Sequence, residues 1–282
     1  MSLVYPNIVP ENDLRLPDAL TIKHGPAALI ARLILAGDQA ARDMGLRLRL
    51  RHDFRGLQEL ARFETARGNW YKLVDYFNPD LVELTPESAY WISAENAAGE
   101  IVVTVAGRVF YWPQSSLHDE AVRVFFAGRR DDYPCTVTTP AAREITGVVL
   151  CSGAMWVRPD YRRLHLSHLL PRISRAYAAS RWPLDWAFIF AVPGSSARQV
   201  AGYGYTDVTR SIFLPATDWG DLDLGLARLS RQQLYDDLAA FFTSHLGSSE
   251  SPAASGLAGT KREETVSTAS PDGVLQGSIS LS

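Results

Sequence analysis

The sequence predicts an α/β fold, a mixed central sheet flanked by helices, with an N-terminal helical extension and a disordered C-terminal tail. Three observations predict it. Val148 to Val157 is apolar and partly β-branched, the composition of a buried strand. A short polar turn containing Pro159 comes next. From Arg163 onward, Leu166, Leu169, Leu170, Ile173 and Tyr177 recur at spacings of three and four, which draws one face of a helix. Trp186 to Val192 (WAFIFAV) is then a continuous apolar run, as expected of a second buried strand.

Bulk properties bound the function. The chain has 282 residues, 46% hydrophobic and 21% charged, an ordinary globular composition sufficient for one large domain or two small ones. A formal net charge of −3 gives no support to a nucleic-acid or membrane-surface role. Two cysteines, Cys135 and Cys151, make no disulfide framework and fit a reducing, cytoplasmic setting. The N-terminal residues lack the basic and apolar regions of a signal peptide, and no apolar run approaches the ~20 residues of a membrane span. There is no internal repeat.

Taken in order, residues 1–25 are proline-punctuated and wrap the surface. Residues 26–43 read as a helix with Pro26 in its first turn, which packs on the α/β domain or mediates a homodimer. Together they form an N-terminal extension, residues 1–44. Leu46 to Leu50 alternates leucine and arginine, a half-exposed strand with solvated arginines. Phe54 to Arg67 is helical by spacing. Asn69 to Pro86 is aromatic and turn-rich, with Trp70, Tyr71, Tyr76 and Phe77; it reads as local core or as a substrate wall. Ala89 to Ala94 and Glu100 to Tyr111 form a hairpin around a loop ending in Gly99.

Residues 113–144 interrupt the order as an insertion, either a lid or a disordered loop, with a short helix over Leu117 to Phe126. After the central helix, where Pro171 should cause a kink, come the strand at 186–192, a short helix at Ala197 to Ala201 and a last strand at Thr206 to Leu214. Residues 216–246 read as a linker and a final helix, 229–245. Ser230 and Gln233 offer that helix a capping box, and Leu234, Leu238 and Phe241 would dock it. Residues 247–282 are rich in Ser, Ala, Gly and Thr and bury too little apolar surface to order.

The turn between the central strand and its helix reads either as an anion site, for a phosphate or pyrophosphate, or as a solvated turn with ordinary surface arginines. The first helical N–H groups have no intrahelical acceptor, the macrodipole adds partial positive charge, and Arg158, Arg162 and Arg163 add full charges. The run Val157, Pro159, Tyr161, Arg162, then Leu166, Ser167, Leu169 and Leu170 resembles the signature of the GNAT superfamily of acyl-CoA N-acyltransferases. That signature is V-x-P-x-Y-R followed by the acyl-CoA loop Q/R-x-x-G-x-G/A. Arg162 stands at the Q/R position, His165 at the first glycine and Ser167 at the Gly/Ala. The order of elements over 45–215 resembles a GNAT domain as well, down to Gly204-Tyr205 where the family has Gly-Phe before its last strand.

The resemblance implies transfer of an acetyl or other acyl group from acyl-CoA to an amine, for which a small-molecule acceptor is expected. It implies no metal, and the sequence shows no Cys/His cluster at metal-ligand spacing. The loop Arg162, Arg163, Leu164, His165, Leu166 and Ser167 would hold the pyrophosphate. Backbone at Met155 to Val157 would pair with the pantetheine arm. The family's frequent tyrosine acid falls here on Val200, and the asparagine that often opens that segment falls on Gly194. Tyr203 is the substitute donor, although a packing aromatic in a turn also explains it. No base is evident: Glu144 and Asp185 read as strand-end residues, and Cys151 as a small buried hydrophobe. The alternative is a catalytically silent module of this fold that binds CoA or a protein. An acyl-carrier-protein-dependent transferase would need a basic docking surface that the sequence does not reveal.

Overall fold

The computed structural model describes residues 5, 6, 8, 15–127, 132–191, 197–206, 208–217 and 220–247. Helix α1, Ala27–Asp43, precedes strand β1, Arg47–Arg51, and helix α2, Phe54–Ala66. Asp53 caps α2, its carboxylate accepting from the N–H groups of Arg55 and Gly56. The hairpin is β2, Ala89–Glu95, and β3, Ile101–Trp112. The insertion carries α3, Leu117–Phe125, β4, Thr136–Val137, and α4, Ala141–Glu144. The central unit is β5, Gly147–Val157, and α5, Leu166–Arg181. Then come β6, Trp186–Ala191, α6, Ala197–Gly202, β7, Val208–Thr217, β8, Gly220–Ser230, and α7, Arg231–Phe241.

These strands form one eight-stranded sheet in the order β1-β2-β3-β5-β6-β8-β7-β4. Every neighbouring pair is antiparallel except β5 and β6, which are parallel. Helix α5 lies against the middle of the sheet with thirteen of its sixteen residues buried. Helix α1 packs across it, and Gly37 allows the close approach: a Cβ there would stand 2.6 Å from Ile173 Cδ1. The opposite side of the sheet is filled by Leu57 and Leu60 of α2, by Leu73 and Phe77, and by Leu117 and Val124 of α3.

Four expectations change. The arginines of β1 are not solvated. Arg49 and Arg51 are 8% and 4% exposed, and both donate to Glu95, at 2.9 and 2.5 Å. Residues 15 and 16 run along this edge, Leu16 N–H donating to Leu48, so the edge is covered rather than wet. The stretch expected to be a linker after residue 215 contains β8, which inserts between β6 and β7. The last strand therefore is β8, and the sheet runs on to Ser230. The insertion is no free loop: β4 extends the sheet, and Phe125, Phe126 and Tyr133 pack with Ile212, Leu214 and Leu224. The final helix starts at Arg231, with Ser230 and Gln233 in the expected reciprocal cap, and its end loosens into a π turn at Phe242–Leu246. Gly194 and residues 248–282 lie outside the described residues.

Candidate active site

The site begins where the sheet opens. β5 and β6 pair only over Val149, Leu150 and Cys151. Beyond Cys151 the two strands part, because β6 continues with β8 while β5 stays with β3. A bulge accompanies the parting. Thr104 faces Trp156 and Ala106 faces Gly153, so Ala154 and Met155 together oppose Val105. Ala154 takes the left-handed conformation at φ 47°, and its carbonyl is held by Thr104 Oγ1 at 2.8 Å.

At the far end of β5 the chain makes a 3-10 turn, Pro159–Tyr161, and enters α5. His165 is the N-cap and stands at φ 54°, ψ 21°. A glycine reaches that left-handed region without steric cost, and histidine reaches it at some cost. The loop therefore keeps a glycine-type backbone although the residue is not glycine. The N–H groups of His165, Leu166 and Ser167 have no acceptor among the described residues, as the opening of a helix requires. Arg162 folds over the end of β5, donating from Nε to the Val157 carbonyl at 3.3 Å.

Two cavities join along the split. The outer one, about 420 Å³, is lined by Asn69, Trp70, Met155, Val157, Arg162 and Ser167, among others. The inner one, about 130 Å³, lies between Ser152–Met155 of β5 and Ile189–Ala191 of β6. Tyr71, Met155, Gln199 and Tyr203 line both. Tyr203 thus stands at the junction. Its Oη accepts from Gln199 Nε2 at 2.7 Å, and burial pushes its phenol above the ordinary tyrosine value, so it remains a neutral O–H donor near neutral pH. No carboxylate or imidazole is among the described residues lining either cavity.

Of the residues read from sequence, Met155, Val157, Arg162, Ser167 and Tyr203 meet in this groove. Leu166 instead points into the core, while Arg163, Leu164 and His165 have exposed side chains and contribute only backbone and charge. Val200 is buried in the inner wall. Glu144 pairs with Arg228, and Asp185 accepts from Val148 N–H and Arg231, so both are strand-end groups away from the groove. Cys151 is fully buried, and burial raises its thiol far above the ordinary range. The aromatic stretch does both things expected of it: Phe77 is core, while Trp70, Tyr71 and Tyr76 are wall. Sequence reading missed Arg175, Tyr205 and Ser152 in the inner cavity. The available signal was an arginine placed between Ile173 and Ala176 on the buried face of α5.

Strand, helix, aromatic segment, hairpin, central strand, arginine-bearing turn, helix, strand and short helix succeed one another in the implied order, around a splayed parallel pair. The fold is α/β, a mixed central sheet flanked by helices. No family model and no curated protein matches the chain. Among solved structures, Arabidopsis thaliana NAA60 in complex with acetyl-CoA is similar at 10% identity and TM-score 0.40, over 65% of this chain and 99% of that one. A spermidine N-acetyltransferase SpeG chimera from Vibrio cholerae and hSSAT is similar at 11% and 0.38, over 68% and 99%. FeeM, an N-acyl amino acid synthase from uncultured soil microbes, is similar at 14% and 0.38, over 70% and 98%. None is close enough to lend this chain an activity.

Proposed function

We propose that the chain is an N-acyltransferase that moves an acetyl or other acyl group from acyl-CoA to a small-molecule amine. The observation that carries this reading is the groove opened by the parting of β5 and β6, which runs from the α5 N-terminus to Tyr203. A pyrophosphate fits its outer end. The N–H groups of His165, Leu166 and Ser167 lack acceptors among the described residues, and Arg162 and Arg163 supply charge. The pantetheine arm would follow the free edge of Met155 to Val157, which β6 does not pair with. The thioester carbonyl then meets the bulge, where Ala154 and Met155 sit outside the register with β3 and a backbone N–H can serve the developing oxyanion.

The amine nitrogen attacks the carbonyl carbon and forms the C–N bond. The C–S bond breaks, and the thiolate takes the proton of Tyr203 Oη. The proton lost by nitrogen leaves through water and restores the phenol. Without a carboxylate or imidazole in the described lining, the amine must arrive neutral. That same absence favours a second reading, a CoA-binding module without catalysis. We place the protein in the cytoplasm on its two unbridged cysteines, and a homodimer through α1 belongs to the same proposal. Calorimetric titration with acetyl-CoA and with CoA tests the binding step, with Arg162→Glu as control. Thiol release in the presence of amines separates enzyme from silent module. Absence of binding by either nucleotide at millimolar concentration would overturn both.

A further inference from the structure

The inner cavity contains a buried cation that the proposed chemistry leaves unused. Arg175 of α5 is 0% exposed. Its Nη2 donates to Asp237 at 2.7 Å, while Nε and Nη1 have no acceptor among the described residues. Two hydroxyls share this condition. Tyr205 Oη and Ser152 Oγ, in residues 1% and 7% exposed, are also without a hydrogen-bond partner among the described residues. All three residues line the same cavity. The guanidinium lies over the Tyr205 ring, 4.9 Å from its centroid; burial raises the phenol, and Arg175 and Ser152 stand close enough to Tyr205 Oη to offset part of that rise, so the three groups face one another without a well-formed hydrogen bond between them.

Buried polar groups are ordinarily satisfied, and three such donors around one cavity require an explanation. Charge points the same way. Arg172 and Arg175 share the single carboxylate of Asp237, which leaves one positive charge over. The rest of the wall is aromatic and aliphatic, with Tyr76, Ile189 and Phe190. The remaining polar groups that face it, Gln199, Tyr71 and Tyr203, carry no negative charge as neutral phenols and amide. The backbone is arranged to keep Arg175 in place: Gly204 stands at φ +92°, and a Cβ there would lie 2.5 Å from both Arg175 Nη2 and Asp237 Oδ2.

We propose that the inner cavity binds a carboxylate group of the substrate, which accepts from Arg175 and from the hydroxyls of Tyr205 and Ser152. The proposal deepens the acyltransferase reading by naming the chemistry of the transferred or accepting molecule, and it rests on that reading for the turnover assays alone. A cavity of about 130 Å³ has room for a short chain ending in a carboxylate; about 150 Å³ takes one benzene. The carboxylate belongs either to an amino-acid acceptor or to a dicarboxylic acyl group.

Binding is tested first without CoA. Propionate and propionamide are titrated into the full chain, with thermal shift and the nitrogen-labelled arginine side-chain signals as readouts. Propionate should stabilise the fold and move the Arg175 Nε signal, and propionamide should do neither. Tyr205→Phe and Ser152→Ala should each weaken propionate about tenfold, the loss of one charge-assisted hydrogen bond. Arg175→Lys should abolish binding, and the two hydroxyl variants keep the test decisive if that variant does not fold. Two ratios then locate the source: β-alanine against propylamine with acetyl-CoA, and succinyl-CoA against butyryl-CoA with a neutral amine. A preference in the first assigns the carboxylate to the acceptor; in the second, to the acyl group. Equal behaviour of propionate and propionamide overturns the proposal. Acetyl-CoA is titrated into the same samples, so retained propionate binding without acetyl-CoA binding sinks the acyltransferase reading and leaves the carboxylate site standing.

Discussion

Replacing Asp237 by asparagine should cost the fold about 3–4 kcal/mol, toward the lower part of the range for breaking a buried ion pair. Asp237 Oδ1 accepts from Arg172 Nε and Nη2 at 3.2 and 2.9 Å, and Oδ2 from Arg172 Nε at 3.1 Å and Arg175 Nη2 at 2.7 Å. The side chains of Arg172, Arg175 and Asp237 are 10%, 0% and 17% exposed, so water cannot take over the lost bonds. The amide offers one acceptor in place of two and turns an N–H₂ toward a guanidinium. Arg172 keeps the carbonyls of His168 and Gly202, at 2.9 and 2.8 Å, which tempers the loss. Arg175 Nε and Nη1 have no well-formed hydrogen bond among the described residues. At roughly 2–4 °C per kcal/mol for a chain of this size, the melting temperature should fall by about 6–16 °C. Denaturant unfolding of the wild type, Asp237→Asn, Arg175→Met and the double variant completes the test. The double variant should recover at least ~1 kcal/mol relative to additivity, because removing Arg175 as well removes the stranded charge. A loss below about 1 kcal/mol, or strict additivity, would refute the claim that this carboxylate holds two buried cations.

Three further outcomes are expected. Tyr203→Phe should lower the rate of thiol release about 100-fold, the low end for a positioned acid, while leaving acetyl-CoA affinity unchanged in calorimetry; an unchanged rate would remove Tyr203 from the chemistry. His165→Gly should stabilise by up to about 1 kcal/mol, since glycine adopts φ 54° without the side-chain penalty, whereas His165→Val should destabilise, both read from denaturant midpoints. Burial raises the phenols of Tyr76, Tyr90 and Tyr205 above their ordinary value. Above about pH 10 the unfolded chain loses these protons first, so stability present below that pH is lost as pH rises; tyrosinate absorbance should appear together with unfolding, and full ionisation in an intact fold would contradict it.

Much of the fold was legible because local patterns report burial directly. The run Val148 to Val157, the helical spacing from Leu166 and the Ser230–Gln233 cap all became the elements they describe. Strand β8 was legible too, in the alternation Leu222, Leu224, Leu226, but the intervening Asp221, Asp223 and Gly225 gave it the look of a linker. The arginines of β1 misled for a different reason. Period two says which face a side chain takes, and only the neighbouring Glu95 and the covering residues 15 and 16 decide whether that face is wet.

The sequence by itself determined what adjoins at the loop: Arg162, Arg163, a turn and a helix N-terminus are contiguous in the chain, so their meeting needs no tertiary information, whereas the fold pairs Arg158 with Glu100 and Asp160. The inner cavity belongs to the tertiary structure. Ser152, Arg175 and Tyr205 lie on a strand, a helix and the approach to another strand, and nothing in their spacing relates them. They meet because β5 leaves β6 after Cys151, and because α7 brings Asp237 across to fix Arg175 in place. Strand divergence is a property of which partner each strand keeps, and that choice is made by the whole sheet.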